Sequence, residues 1–372
     1  MKASKKNAVK PFKLELKEDE IKYILKNVDK VLRGGWLTLG KYSQKFEENF
    51  ASIIGTKYAV AVNSGTSALE IILRILDVKN EKVLIPVNSN FATAIAALNA
   101  GAQPVFYDNG LYPDFRNIEE KAKQHPKAII VVHIGGYVTE ELVKISEHCR
   151  NNGIFLIEDA SHSHGTALSG KKTGSFGIAG AFSFFPTKPI TTCEGGVITT
   201  DDKSIFSLGK EYRDQGKRSS DGLHIHHGNS WRMSELHAIV GLAQLNSLVK
   251  ENILRTKIIG AYQKLLADCP AVSFPILSAS HRPSGYKCIA YLKTAKVKKA
   301  LKEYLTKKNI HLAQGVYDRP LHKHPFFFEI VNGKFPMAED FSKRHICLPI
   351  WDSITPNEIE SVVFAIKSFF SN

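Results

Sequence analysis

The segments IFLIEDASHSH (residues 154–164) and AFSFFPTKPITTCEGGVITT (181–200) carry most of the fold information in this chain. Ile154–Glu158 is an apolar run, and Asp159, His162 and His164 follow it. Charged and imidazole groups beyond a buried strand are costly unless used. Ala181–Phe185 and Gly196–Thr200 read as two more apolar strands with no helix between them. Upstream, strand-like Lys57–Val62, Lys82–Pro86, Pro104–Tyr107 and Ala128–His133 alternate with helical Ala68–Leu76, Phe91–Asn99, Asn117–Gln124 and Glu140–Arg150. Such alternation predicts an α/β fold with a buried, mainly parallel sheet, helices on both faces and a mixed edge.

Further out, Ile21, Leu25, Val28 and Leu32 recur at helical spacing before Gly34-Gly35, and a second helix carries Phe46, Phe50 and Ile54. Residues 1–15 read as a lysine-bearing arm. Residues 232–268 read as one or two long helices. After Cys269-Pro270, short strands (Cys288–Leu292, Ile346–Pro349) mix with helices (Val297–Lys308, Pro356–Phe370). The expected division is an arm (1–15), a large domain (16–268) and a smaller α+β domain (269–372).

Of the 372 residues, 43% are hydrophobic and 23% charged, which excludes a disordered or fibrous protein. No run approaches the roughly 18 apolar residues of a membrane span, and the basic start lacks the apolar core of a secretory signal. Five cysteines at irregular spacing argue against a disulfide framework and for a reducing cytoplasm. Lysine and arginine exceed aspartate and glutamate by 50 − 36 = 14. This surplus permits a polyanionic small molecule. The lysines are scattered without interleaved aromatics, so neither nucleic acid nor membrane is expected as a partner.

Ligands in open α/β sheets bind beyond the carboxyl ends of strands, and four such places hold unusual residues. Asn63-Ser64-Gly65-Thr66-Ser67 offers amides and hydroxyls to an anion at a helix start, or is a plain N-cap. Glu158–His164 offers carboxylates and imidazoles. Its histidines suggest a metal, but no third ligand follows at a recognisable spacing, and no metal is expected. Lys188 follows an aromatic strand, with Glu194-Gly195-Gly196 beyond it. It is either a solvated loop lysine or a partly desolvated amine suited to Schiff-base chemistry. His224, His226 and His227 precede Asn229-Ser230-Trp231-Arg232-Met233, and that histidine cluster reads as adventitious rather than metal-binding.

Taken in order, these motifs resemble the DegT/DnrJ/StrS family of pyridoxal-phosphate (PLP) aminotransferases. The matching stretches are Gly34-Gly35 with Leu39-Gly40, Asn63–Leu69, Glu158-Asp159-Ala160, Phe182–Lys188, Glu194-Gly195-Gly196, Arg232-Met233-Ser234, Pro320-Leu321-His322 and Leu348-Pro349. The resemblance implies the aspartate-aminotransferase (type I PLP) fold and a homodimer with shared active sites. It makes Lys188 the lysine that bonds to PLP and shuttles a proton, Asp159 the partner of the pyridine nitrogen, and His162 the neighbour of the ring's phenolic oxygen. Phe91 would stack on the ring, while Gly65, Thr66 and Ser183 would hold the phosphate. Asn229 or Ser230 would stand for the asparagine that reaches the partner subunit's phosphate. The family's aromatic after the fourth strand is missing from His133-Ile134-Gly135-Gly136, and Asn90-Phe91 replaces its usual Thr-Phe.

The implied reaction moves the amino group of L-glutamate onto a keto sugar. The most common substrate in the family is a nucleotide-linked 4-keto or 3-keto deoxysugar destined for polysaccharide, lipopolysaccharide or other glycoconjugates. His322, Arg319 and Glu194 are the substrate candidates. Lys217, Arg218 and the 224–227 histidines are either diphosphate contacts or solvated loop positions. A cyclitol or other substrate without a nucleotide, and a PLP-binding sensor without turnover, are the alternatives.

Overall fold

The computed structural model of the chain describes residues 8–371, so residues 1–7 of the expected arm lie outside it. Twelve α-helices are present among the described residues. Those in the first part are α1 (Glu18–Gly34), α2 (Lys41–Ile54), α3 (Gly65–Ile75), α4 (Phe91–Asn99), α5 (Phe115–Ala122), α6 (Glu141–Asn151), α7 (Lys203–Arg213), α8 (Glu235–Leu245) and α9 (Leu248–Leu265). After them come α10 (Val297–Lys307), α11 (Pro336–Arg344) and α12 (Pro356–Ser371). The strands are β1 (Tyr58–Val62), β2 (Lys82–Pro86), β3 (Gln103–Tyr107), β4 (Ala128–Val132) and β5 (Phe155–Asp159). They continue with β6 (Ala167–Leu168), β7 (Lys171–Lys172), β8 (Ala179–Ser183), β9 (Gly196–Thr200), β10 (Val272–Ser273), β11 (His281–Arg282), β12 (Cys288–Leu292) and β13 (His345–Leu348).

Seven strands form one sheet in the order β1-β9-β8-β5-β4-β2-β3. Pairing is parallel from β3 to β8, and β9 is antiparallel to both its neighbours, which is the expected mixed edge. Alternate strand residues feed opposite faces. Val83, Ile85, Ile130 and Ile157 pack under α3 and α4, and Leu84, Ile129, Val131 and Leu156 pack against α5 and α6. Small buried residues of α4 (Thr93, Ala94, Ala96, Ala97) let it lie close to α3. A third cluster joins α1, α2 and α8 to Phe182, Phe184 and Val197.

β10, β12 and β13 form a separate antiparallel sheet. Its core draws on Ile258, Ile259 and Tyr262 of α9 and on Val9 of the arm. The arm is stitched there by the Val9 amide to the Asn309 carbonyl (2.9 Å) and the His311 amide to the Val9 carbonyl (3.0 Å). Ile134, Tyr137, Ile289, Val316 and Cys347 pack together between the two sheets. No helix among the described residues is long and apolar enough to cross a membrane.

Candidate active site

Asp159 is the last residue of β5, and its carboxylate is buried at 4% exposure. Its Oδ2 accepts from the Thr93 hydroxyl at 2.8 Å, and its Oδ1 accepts from the Ser161 amide at 3.2 Å. Both donors satisfy lone pairs of the buried carboxylate. Thr93 lies on the first turn of α4, which starts at Phe91 under an Asn90 cap. The Phe91 ring is 47% exposed and meets Phe326 and Phe327 edge-on.

His162 follows on the turn after β5 and is also buried. Its Nδ1 faces the Gly135 amide at 3.3 Å, so Nδ1 is the acceptor and the ring proton sits on Nε2. Burial, and after it the Lys188 and Lys287 ammoniums, hold its pKa well below the usual histidine value. The ring stacks on Tyr286 (4.6 Å) and on Tyr317 (5.7 Å). The Gly135-Gly136 pair has a packing reason. Gly136 adopts φ +83°, and a Cβ there would lie 2.0 Å from the Ser284 hydroxyl. That hydroxyl donates to the His162 carbonyl at 2.7 Å, which fixes the turn carrying the imidazole.

Lys188 sits in the long loop between β8 and β9. The loop is held by Gln244 of α8, whose side-chain amide donates to the Thr191 carbonyl (2.6 Å) and whose Oε1 accepts from the Thr191 amide (3.1 Å). The Lys188 ammonium lies 5.5 Å from the centre of the Tyr286 ring. Burial lowers its pKa. Tyr286 and Asp159 beside it oppose that shift, and Lys287 adds to it. A desolvated amine of this kind is more readily deprotonated and nucleophilic.

At the head of α3, the Ser64 hydroxyl caps the Ser67 amide at 3.0 Å. Among the described residues, the Gly65 and Thr66 amides donate to no other group, so they remain available for an anion. Ser183, the last residue of β8, stands against this turn, and a Cβ on Gly65 would lie 2.8 Å from the Ser183 Cβ. The cap and the anion reading therefore coexist: Ser64 does the capping, and glycine keeps the turn close to Ser183.

Asn229 and Ser230 are exposed beside the same turn. The Asn63 amide nitrogen bonds to the Trp231 carbonyl at 2.9 Å, and the Ser230 hydroxyl accepts from Arg232 at 2.7 Å. Glu194 is exposed after Cys193, which adopts φ +68°. Arg319 is exposed, whereas His322 is turned inward. Its Nε2 faces Glu339 at 3.2 Å and its ring lies on Phe335. The 224–227 histidines are not gathered. His224 faces the Gln215 carbonyl, His226 faces Glu211 and His227 faces Arg74. Lys217 and Arg218 pair with Asp214 and Asp221. Among the described residues, no group of three or more His, Cys, Asp or Glu side chains lies together as a metal site requires.

Sequence reasoning missed Thr93, Tyr286, Lys287 and Tyr317. Thr93 had a usable signal, a hydroxyl on the helix turn of Phe91. The other three come from the second half of the chain, where no pattern links them to the site.

A family model described as the DegT/DnrJ/EryC1/StrS aminotransferase family matches residues 18–367. The spore coat polysaccharide biosynthesis protein SpsC of Bacillus subtilis is 31% identical, over 98% of this chain and 97% of its own length. A GDP-perosamine synthase of Escherichia coli O157:H7 is 30% identical, over 93% of this chain and 95% of its own. The solved structure of Helicobacter pylori PseC, an aminotransferase involved in the biosynthesis of pseudoaminic acid, superposes with a TM-score of 0.90 at 27% identity, covering 98% of this chain and 100% of that one.

Proposed function

Because the chain belongs to the DegT/DnrJ/EryC1/StrS aminotransferase family and is a PLP-dependent transaminase of the type I fold, we propose that it moves the amino group of L-glutamate onto a nucleotide-linked keto sugar at C4 or C3. The product would serve a polysaccharide or another glycoconjugate. The observation that carries this reading is the meeting of Lys188, Asp159 and His162 at one end of the sheet, with the open amides of α3 beside Ser183. The names of SpsC and the perosamine synthase support the substrate class.

The residues fit the cofactor. The Gly65 and Thr66 amides and the Ser183 hydroxyl suit its phosphate, and the Asp159 carboxylate suits a protonated ring nitrogen. Phe91 offers a ring face, and the desolvated Lys188 amine suits its aldehyde. When bound, PLP supplies an electron sink that makes the proton on the amine-bearing carbon removable.

The chain's own groups do the rest. Thr93 and the Ser161 amide hold the Asp159 carboxylate in position to pair with a protonated ring nitrogen. His162, neutral and protonated at Nε2, donates to an oxygen. Lys188, with its lowered pKa, takes a proton as a free amine and returns it as an ammonium. Asn229 or Ser230 reaches the phosphate of a second copy in a homodimer. Arg319 and Glu194 offer charges to the substrate, and His322 braces the Pro320–Lys323 segment.

The test follows the cofactor's visible band. L-Glutamate should bleach it, and a keto substrate should restore it. If phosphate-free keto-cyclitols restore the band and nucleotide-linked keto sugars do not, the nucleotide-sugar reading falls. If glutamate leaves the band unchanged, glutamate is not the donor.

A further inference from the structure

We infer that Tyr317 is a positioning residue of the cofactor site, locked in place by a Lys298–Asp318 clamp; this rests on the role given above to His162. Tyr317 adopts φ +60°, a left-handed conformation that a bulky side chain rarely takes. Strain of this kind persists only where the surroundings enforce it, and it gathers at functional sites.

Here the enforcing groups are explicit. The Gly315 amide donates to Asp318 Oδ2 at 2.9 Å and closes the turn. Lys298 donates to Asp318 Oδ1 at 2.7 Å and to the Ser342 carbonyl at 2.7 Å, tying the turn to α10 and α11. Lys302 stands 3.6 Å from Asp318 Oδ2. A Cβ on Gly315 would lie 2.1 Å from Asp318 Oδ1 and 2.5 Å from His345 Nε2, so the turn has no slack. Ala313 bridges to Cys347 and fixes the strand side.

The clamp delivers one aromatic ring to the site. The ring stacks on His162 at 5.7 Å with 29° between planes. Tyr317 therefore holds the plane of the imidazole, and it acts on the cofactor through that ring.

The experiment titrates cofactor-free protein with PLP and records affinity together with the visible circular dichroism of the bound cofactor. Tyr317→Ala should bind PLP about tenfold more weakly and lose part of the dichroic band, since the ring that holds the His162 plane is gone. Tyr317→Phe keeps the ring and should stay within about threefold of the parent. Asp318→Asn should weaken binding in the same direction. Tyr317→Gly should bind as weakly as Tyr317→Ala yet melt at a higher temperature, because glycine takes φ +60° freely. Parental affinity and dichroism in Tyr317→Ala would overturn the inference, as would a Tyr317→Gly protein that melts below Tyr317→Ala. A parent protein that develops no visible band at all counts against the Lys188 reading instead.

Discussion

Thr93 shows how a single hydroxyl can set the chemistry of a site. It donates to a buried carboxylate, and hydrogen bonds to charged groups contribute more than neutral ones. Thr93→Val keeps the shape and removes the donor. It should weaken PLP binding about tenfold, a difference near 1.4 kcal/mol, read by absorbance titration; unchanged affinity would show that Asp159 needs no such support. Lys188→Ala is expected to abolish both the visible band and turnover, and a variant that kept either would remove Lys188 from its role. Lys188, Asp159 and His162 were readable beforehand because each follows an apolar run where a polar group needs a reason. Tyr286 and Tyr317 were not, because an aromatic in a loop looks like any core residue until the chain folds it against His162. His322 stood out in the sequence, yet its ring lies on Phe335 and its Nε2 faces Glu339, since a carboxylate on α11 offered the nearer partner.

Helix α2 depends on a carboxylate from far along the chain. Glu235, buried on α8, accepts from the amides of Gly40 (3.0 Å), Tyr42 (2.8 Å) and Ser43 (2.9 Å). No side chain of its own caps α2, so Glu235 satisfies its open amides and favours its positive end. Glu235→Ala should destabilise the protein by about 2–4 kcal/mol, measured as a shift in the urea midpoint at constant slope; a loss below about 0.5 kcal/mol would mean that water replaces the carboxylate. Most elements were legible because buried strands are continuous apolar runs and helices show their period. α7 escaped the pattern, since only Ile205, Gly209 and Arg213 on it are buried, too few to show a face. β8 ends at Ser183 rather than continuing through Phe185. Phe184 turns into the aromatic cluster of Phe46 and Phe50, and Pro186 follows.

Across the whole molecule, several histidines are buried and neutral. Burial pushes His164 down to about 3, and His281 and His345 down to about 4, from an ordinary 6.5. Between about pH 4 and 6.5 the unfolded chain therefore binds protons that the folded chain refuses. Stability falls as pH falls through that window, by about 1.4 kcal/mol per pH unit for each such histidine. Urea midpoints at pH 7.5, 6.5, 5.5 and 4.5 should decline, and His164→Met should flatten the decline; a level profile would refute the account. Leu25, Leu32, Trp36 and Leu37 expose 50–69% of their surface along α1 and the turn after it. The proposed dimer gives this apolar stripe a use. Sedimentation equilibrium should give twice the 41.4 kDa chain mass, and Trp36→Asp should shift the protein toward the monomer. The position of β1 has a consequence for synthesis. Among the described residues its only neighbour in the large sheet is β9, so Tyr58 waits for Thr200. A growing chain can pair β2, β3, β4 and β5 as they emerge, but the edge carrying the Gly65 turn closes only when residues 196–200 arrive. Non-local pairing of this kind is slow. The Gly65 turn is thus fixed after Asp159, and a nascent chain that stops short of β9 lacks the finished turn that the proposed phosphate seat needs.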